Sequence, residues 1–144
     1  MTEKIVLSTV SIAMLIFTLQ KGDKQSTFLT AGLTIGILIT WVNVSQIITL
    51  GLVIYMLSAL MISFLHLRIK NLSKLKLATI ILTGFVAFIS NLFSIMSWPG
   101  FGAIRLILII PIVLYILVLI KGMIKRKELG YLTIMNTEMI LRMI

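Results

Sequence analysis

The sequence predicts an all-α membrane protein: a bundle of five transmembrane helices, N-terminus outside and C-terminus in the cytoplasm, followed by a C-terminal amphipathic cytoplasmic helix. Three observations carry that expectation. Of the 144 residues, 60% are apolar and 12% charged, and the mean hydropathy of +1.18 exceeds what a water-soluble domain of this size could bury. Five apolar runs free of acids approach the roughly 17–25 residues a helix needs to cross ~30 Å of hydrocarbon. The thirteen Lys and Arg residues fall mostly in three short gaps between those runs, on alternate turns.

The runs place helices at about 5–20, 27–43, 46–67, 77–98 and 102–120. Helix is the only open-ended solution, because every backbone amide inside lipid must find its partner within the segment. The first run is marginal in length and reads either as a signal peptide or as a short span. Its nearly neutral start at Glu3 and Lys4, and the lack of a small-x-small cleavage site before Lys21, favour an uncleaved helix. Residues 1–122 thus form a transmembrane bundle, and 123–144 a basic segment with a surface helix.

Five crossings bring residues 21–26, 68–76 and 121–144 to one face of the membrane. That face receives Lys21, Lys24, Arg68, Lys70, Lys74, Lys76, Lys121, Lys125, Arg126, Lys127 and Arg142, while the other holds Lys4 and Arg105. The positive-inside rule makes the basic face cytoplasmic, which points to a bacterial inner (plasma) membrane. Outside lie two tight turns, Asn43-Val44-Ser45 and Pro99-Gly100-Phe101-Gly102, too short for an external domain. The net charge of +9 is concentrated at helix ends, where it meets anionic lipid headgroups, so no nucleic acid is expected as a partner.

Chemistry-bearing residues are scarce. There is no cysteine, one histidine, and four acids, which excludes disulfides and thiolate sites. Glu3, Asp23, Glu128 and Glu138 all lie outside the apolar runs, so no catalytic, metal or cofactor site is expected, and the protein reads as non-enzymatic. His66, beside Arg68 and Lys70, reads as a wetted headgroup contact.

The fourth run carries the clearest pattern. Gly84, Ala87, Asn91, Ser94 and Ser97 recur every three or four residues, a stripe of small and polar groups that wants a helix partner. A proton-conducting lining is the alternative, but no acid stands on the stripe. Gly32 and Gly36 form a GxxxG spacing in the second run, and Ala59 and Ser63 repeat small-xxx-small in the third. Pro111 removes a hydrogen bond from the fifth helix and predicts a kink. Arg105, one turn from the outer end, reads either as a snorkelling cation or as a group facing another subunit. Trp41 and Trp98 suit an aromatic belt.

Beyond Lys125-Arg126-Lys127, residues Leu132, Met135, Met139 and Met143 share a helical face, with Glu138 and Arg142 placed as an i,i+4 pair on the other side. This adaptable methionine face is expected to lie on the inner leaflet or to dock on a partner. A shift of 57 residues lays Trp41 on Trp98, Arg68 on Lys125 and Lys70 on Lys127, a loose repeat of two hairpins with the same orientation.

At the second hairpin, Leu92-Phe93-Ser94-Ile95-Met96-Ser97-Trp98-Pro99-Gly100 resembles the hairpin of GldL-type inner-membrane proteins of gliding motility and type IX secretion. The resemblance covers some thirty residues and implies a helical inner-membrane scaffold. It also marks departures: Ser94 and Ser97 stand where that family has lysine and histidine, and the following helix lacks the glutamate associated there with proton flow.

Together these features lead to the expectation of an accessory or assembly subunit. It would pack against a larger membrane complex, or against itself, through the second and fourth helices. Membrane lipids would be its other partners. The alternatives are a homo-oligomeric transporter of small solutes or ions, with Asn91, Ser94 and Ser97 lining its path, and an immunity-type or membrane-stress protein.

Overall fold

The computed structural model describes residues 2–21, 23–42, 44–69, 72–96 and 101–144. Among them it is all-helical: α1 Thr2–Lys21, α2 Lys24–Ile39, α3 Ser45–Leu67, α4 Lys74–Met96, α5 Phe101–Ile120 and α6 Arg126–Met143. Three of these helices, over Thr2–Gln20, Ser45–Leu67 and Lys74–Met96, are long and apolar enough to cross a membrane.

The five apolar runs coincide with α1 to α5, and the differences at their ends have local causes. Asp23 starts α2 earlier than the apolar run does, because its carboxylate accepts the Ser26 N–H at 2.9 Å and so caps the helix. The same helix ends at Ile39, where Thr40 and Trp41 turn the chain through bonds to Ile37 and Leu38 carbonyls. Pro111 stands inside α5.

Neighbours in sequence pack as neighbours in space, from α1 on α2 through to α5 on α6, and α6 closes the ring on α1 while also touching α2 and α4. Close approach of α2 and α3 depends on two facing glycines. A Cβ on Gly36 would sit 2.9 Å from the Gly51 carbonyl oxygen, and one on Gly51 would sit 2.7 Å from that of Gly36. Gly84 plays the same part between α4 and α3, its missing Cβ lying 2.6 Å from the Ala59 carbonyl.

The sixth helix corrects the expectation of a surface helix on the cytoplasmic leaflet. Gly122, at φ 63°, ends α5 in a Schellman turn: Met123 N–H bonds to Val118 O at 3.1 Å and Gly122 N–H to Leu119 O at 3.0 Å. The chain therefore reverses and re-enters the bundle. Tyr131, Leu132, Ile134, Met135 and Met139 are at most 1% exposed and form part of the core. Eighteen residues at ~1.5 Å each carry α6 about 27 Å, most of the ~35 Å spanned by the 23 residues of α3. Its start contacts Asp23 and Lys76, its finish lines a cavity with Glu3 and Lys4, and so both ends of the chain share one end of the fold. Residues 126–143 thus pack as one more helix of the same bundle.

Candidate functional site

Two polar clusters form where α6 meets the other helices. The first sits at the basic end. Lys76 Nζ lies 2.5 Å from Glu128 Oε2, both side chains about 5% exposed or less, and the same carboxylate accepts the Lys125 N–H at 3.0 Å, capping α6. One turn on, the Tyr131 hydroxyl meets His66 Nε2 at 2.9 Å. His66 Nδ1 faces the Ile62 carbonyl at 2.8 Å; a carbonyl only accepts, so Nδ1 carries the hydrogen and Nε2 accepts from the tyrosine. His66 and Lys76 are thus buried partners of α6, not headgroup contacts. Lys127 pairs with Asp23 at 3.1 Å on the surface. Asp23 is held at a pKa of about 2 by the Ser26 backbone N–H, then by the Ser26 hydroxyl, with Lys127 contributing less. A cavity of about 100 Å³ reaches this cluster.

The second cluster lies toward the opposite end. Arg142 pairs with Glu138 one turn earlier on α6, donates from Nη2 to Asn91 Oδ1 at 2.7 Å and from Nη1 to Ser94 Oγ at 2.7 Å and Ser90 O at 3.5 Å. Asn91 Nδ2 donates back to Glu138 Oε1 at 3.3 Å, and the Tyr55 hydroxyl donates to Glu138 Oε2 at 3.3 Å. Three helices thus converge on one acid–base pair: α3 through Tyr55, α4 through Asn91 and Ser94, and α6 through the pair itself. A cavity of about 310 Å³ opens on it, with Glu3, Lys4 and Thr40 also in its lining. Lys4 Nζ donates to the Thr40 carbonyl at 3.0 Å.

The partner that the α4 stripe requires is therefore inside the chain. Gly84 packs on α3, Ala87 is fully buried, and Asn91 and Ser94 bind α6. Gly32 lies against Ser58 of α3 and Gly36 against Gly51 and Tyr55. Met135 and Met139 are core residues and Met143 packs against that core, so the methionine face docks on the protein's own helices. Lys125 is the exposed N-cap of α6 and Lys127 its surface ion-pair donor. Ser97, and the side chains of Arg105 and Arg126, lie outside the described residues.

Glu138 and Arg142 do form their i,i+4 pair, with Glu138 buried and Arg142 partly exposed. The stripe carries no acid of its own, and α6 supplies one. The residues missed by the sequence reading are Tyr55, Lys76, Glu128, Tyr131 and Glu138. One signal pointed to most of them: at 100° per residue, Glu128, Tyr131, Met135, Glu138 and Arg142 fall within about 80° of one another on α6. Lys76, Ser90, Asn91 and Ser94 likewise occupy one side of α4. Two polar stripes with complementary ends are a pairing signal. Between the clusters, Thr83 Oγ1, Ser90 Oγ and Asn136 Oδ1 are buried without a hydrogen-bond partner among the described residues.

No protein-family model matches the chain, and neither a search of curated proteins nor one of solved structures returns a match.

Proposed function

We propose that this chain is a non-enzymatic, multi-pass protein of a bacterial inner membrane and that it binds and carries a small solute through the cavity at Glu138 and Arg142. The single observation behind this reading is that the cavity opens onto an ion pair set among membrane-type helices. Ionisable groups set among apolar helices are expensive and often mark binding sites or pathways. A volume of about 310 Å³ stands at the small end of the ~300–1,000 Å³ usual for ligand pockets, which favours a small solute. Asn91 and Ser94 line it, in keeping with the transport alternative drawn from the stripe.

In this reading α6 is a sixth crossing. The basic end, with Lys24, Arg68, Lys74, Lys76, Lys121, Lys125 and Lys127, faces the cytoplasm. Both termini then lie outside. A cysteine placed at Ile144 is expected to react with an impermeant maleimide on intact cells, and one at Ser73 only after lysis. An accessory subunit would need other surfaces than those named for it, because the small-residue faces of α2 and α4 are engaged with α3 and α6. The exposed apolar faces of α1 and α5 remain for lipid or for a partner.

The test is uptake into vesicles reconstituted with the purified protein, against a panel of radiolabelled amino acids, amines, organic acids and sugars. At least one solute is expected to enter faster than into protein-free vesicles, and Asn91→Leu to abolish that flux with the fold retained. Uptake equal to the empty control across the panel would overturn the carrier reading.

A further inference from the structure

The charged floor of the larger cavity keeps hydrogen-bonding capacity to spare at two adjacent points, and they are of opposite sign. A guanidinium has five N–H donors. Arg142 directs one at Glu138, two at Ser94 and Ser90 O, and one at Asn91, leaving one Nη2 hydrogen without a partner among the described residues. Glu138 Oε1 is occupied by Asn91 and Arg142, whereas Oε2 accepts only the Tyr55 hydroxyl, at 3.3 Å, among the described residues. Both residues line the cavity. The ion pair therefore holds an unused cationic donor beside an unused anionic acceptor.

The charges around the cavity also balance. Its charged lining among the described residues is Glu3, Lys4, Glu138 and Arg142, two acids against two bases. A guest bearing net charge would leave that charge uncompensated beside the buried Glu138 carboxylate, while a guest carrying both signs would leave none. Leu7, Ile37, Leu52 and Leu141 supply an aliphatic wall. An α-amino acid carries a carboxylate and an ammonium on one carbon, and Arg142 and Glu138, paired one turn apart on α6, offer a donor for the first and an acceptor for the second.

We infer that the cavity binds a small aliphatic zwitterion, with its carboxylate on Nη2 of Arg142, its ammonium on Oε2 of Glu138, and its side chain against the leucines and Ile37. This rests on the carrier reading and names its substrate class. An acid or amine alone satisfies one half of the site and unbalances the other.

Three probes of the same skeleton separate the possibilities: leucine, isoamylamine, which lacks the carboxylate, and isocaproate, which lacks the ammonium. Calorimetric titration of the whole protein in lipid nanodiscs is expected to give leucine a Kd roughly tenfold or more below that of either analogue. An analogue that binds as tightly as leucine overturns the inference and leaves the cavity a solute site. Binding only by a singly charged or uncharged member of the wider panel does the same. Failure of all solutes overturns the carrier reading with it. Glu138→Gln keeps the shape of the side chain, and its folding is checked by helical content and elution volume. It is expected to erase the preference of leucine over isocaproate; survival of that preference overturns the ammonium assignment.

Discussion

At its start α6 sets Glu128 against Lys76, and toward its finish it sets Glu138 against Arg142, so each half of the bundle carries an acid–base pair, the first buried and the second with a buried acid and a partly exposed base. Their settings differ. Glu128 also caps the helix it belongs to, beside a cavity of about 100 Å³, at the end where the lysines gather. Glu138 and Arg142 instead share a network with Tyr55, Asn91 and Ser94 beside a cavity of about 310 Å³. One pair fastens a helix terminus; the other presents charge to a space large enough for a guest. Burial of an ion pair alone therefore does not make a site; the second differs in that both of its members line the larger cavity, whereas Glu128 without Lys76 lines the smaller one.

The largest effect expected from this contrast follows Arg142→Met. It leaves Glu138 buried with two neutral donors and no cation, and unpairing a buried charge costs about 3–5 kcal/mol. Thermal unfolding in mild detergent should show it as a large loss of stability. Replacing both members, Glu138→Met with Arg142→Met, should recover most of the stability and none of the solute binding. If the double variant still binds, the cluster is not the site.

The two pairs also show what residue order makes legible. Five helices follow from apolar run length, since lipid thickness and backbone hydrogen bonding leave few alternatives. The α4 stripe is equally plain, and so is its need for a partner. What escapes is the partner itself. The tail's polarity is too high for an isolated span, and a hydropathy argument scores Glu138 and Arg142 one residue at a time, as costs. In the bundle those costs are offset by their own i,i+4 pairing and by Asn91 and Ser94 of α4, which stand 30 or more residues away and are linked to α6 by no local periodicity. Gly122 is the local cue that hydropathy passes over: a glycine just past the last apolar residue of α5 marks a Schellman turn, and such a turn sends the chain back. The spare valences of Arg142 and Glu138 are a tertiary property with no trace in residue order.

A comparable loss of stability, without any loss of binding, is expected at the basic end. Lys76→Met leaves Glu128 buried with its bond to the Lys125 N–H and without its paired ammonium. The cost should again be about 3–5 kcal/mol, because this pair is the more deeply buried of the two. Solute affinity should be unchanged. Any fall in binding would break the distinction between a fastening pair and a presenting pair.

The smallest effect belongs to Asp23, which ties the start of α2 to the start of α6 from the surface. Its pKa of about 2 in the fold lies below the ~3.9 of an unfolded aspartate. The folded state thus holds the ionised form more strongly, and the stabilisation is fully present above about pH 4 and disappears as pH falls through about 2. The carboxylate is nearly half exposed, at 47%, and water screens its pair with Lys127, so about 0.5 kcal/mol or less is at stake. Asp23→Asn retains an oxygen to cap Ser26 and removes the titration. Its unfolding should match the wild type near pH 2 and fall slightly below it near pH 5, the difference shrinking at high salt to the extent that Lys127 contributes. Because the Ser26 N–H is the largest cause of the shift, most of the pH dependence should survive Lys127→Met. Were it to vanish in that variant, the ion pair with Lys127, and not the Ser26 cap, would be what holds the Asp23 pKa down.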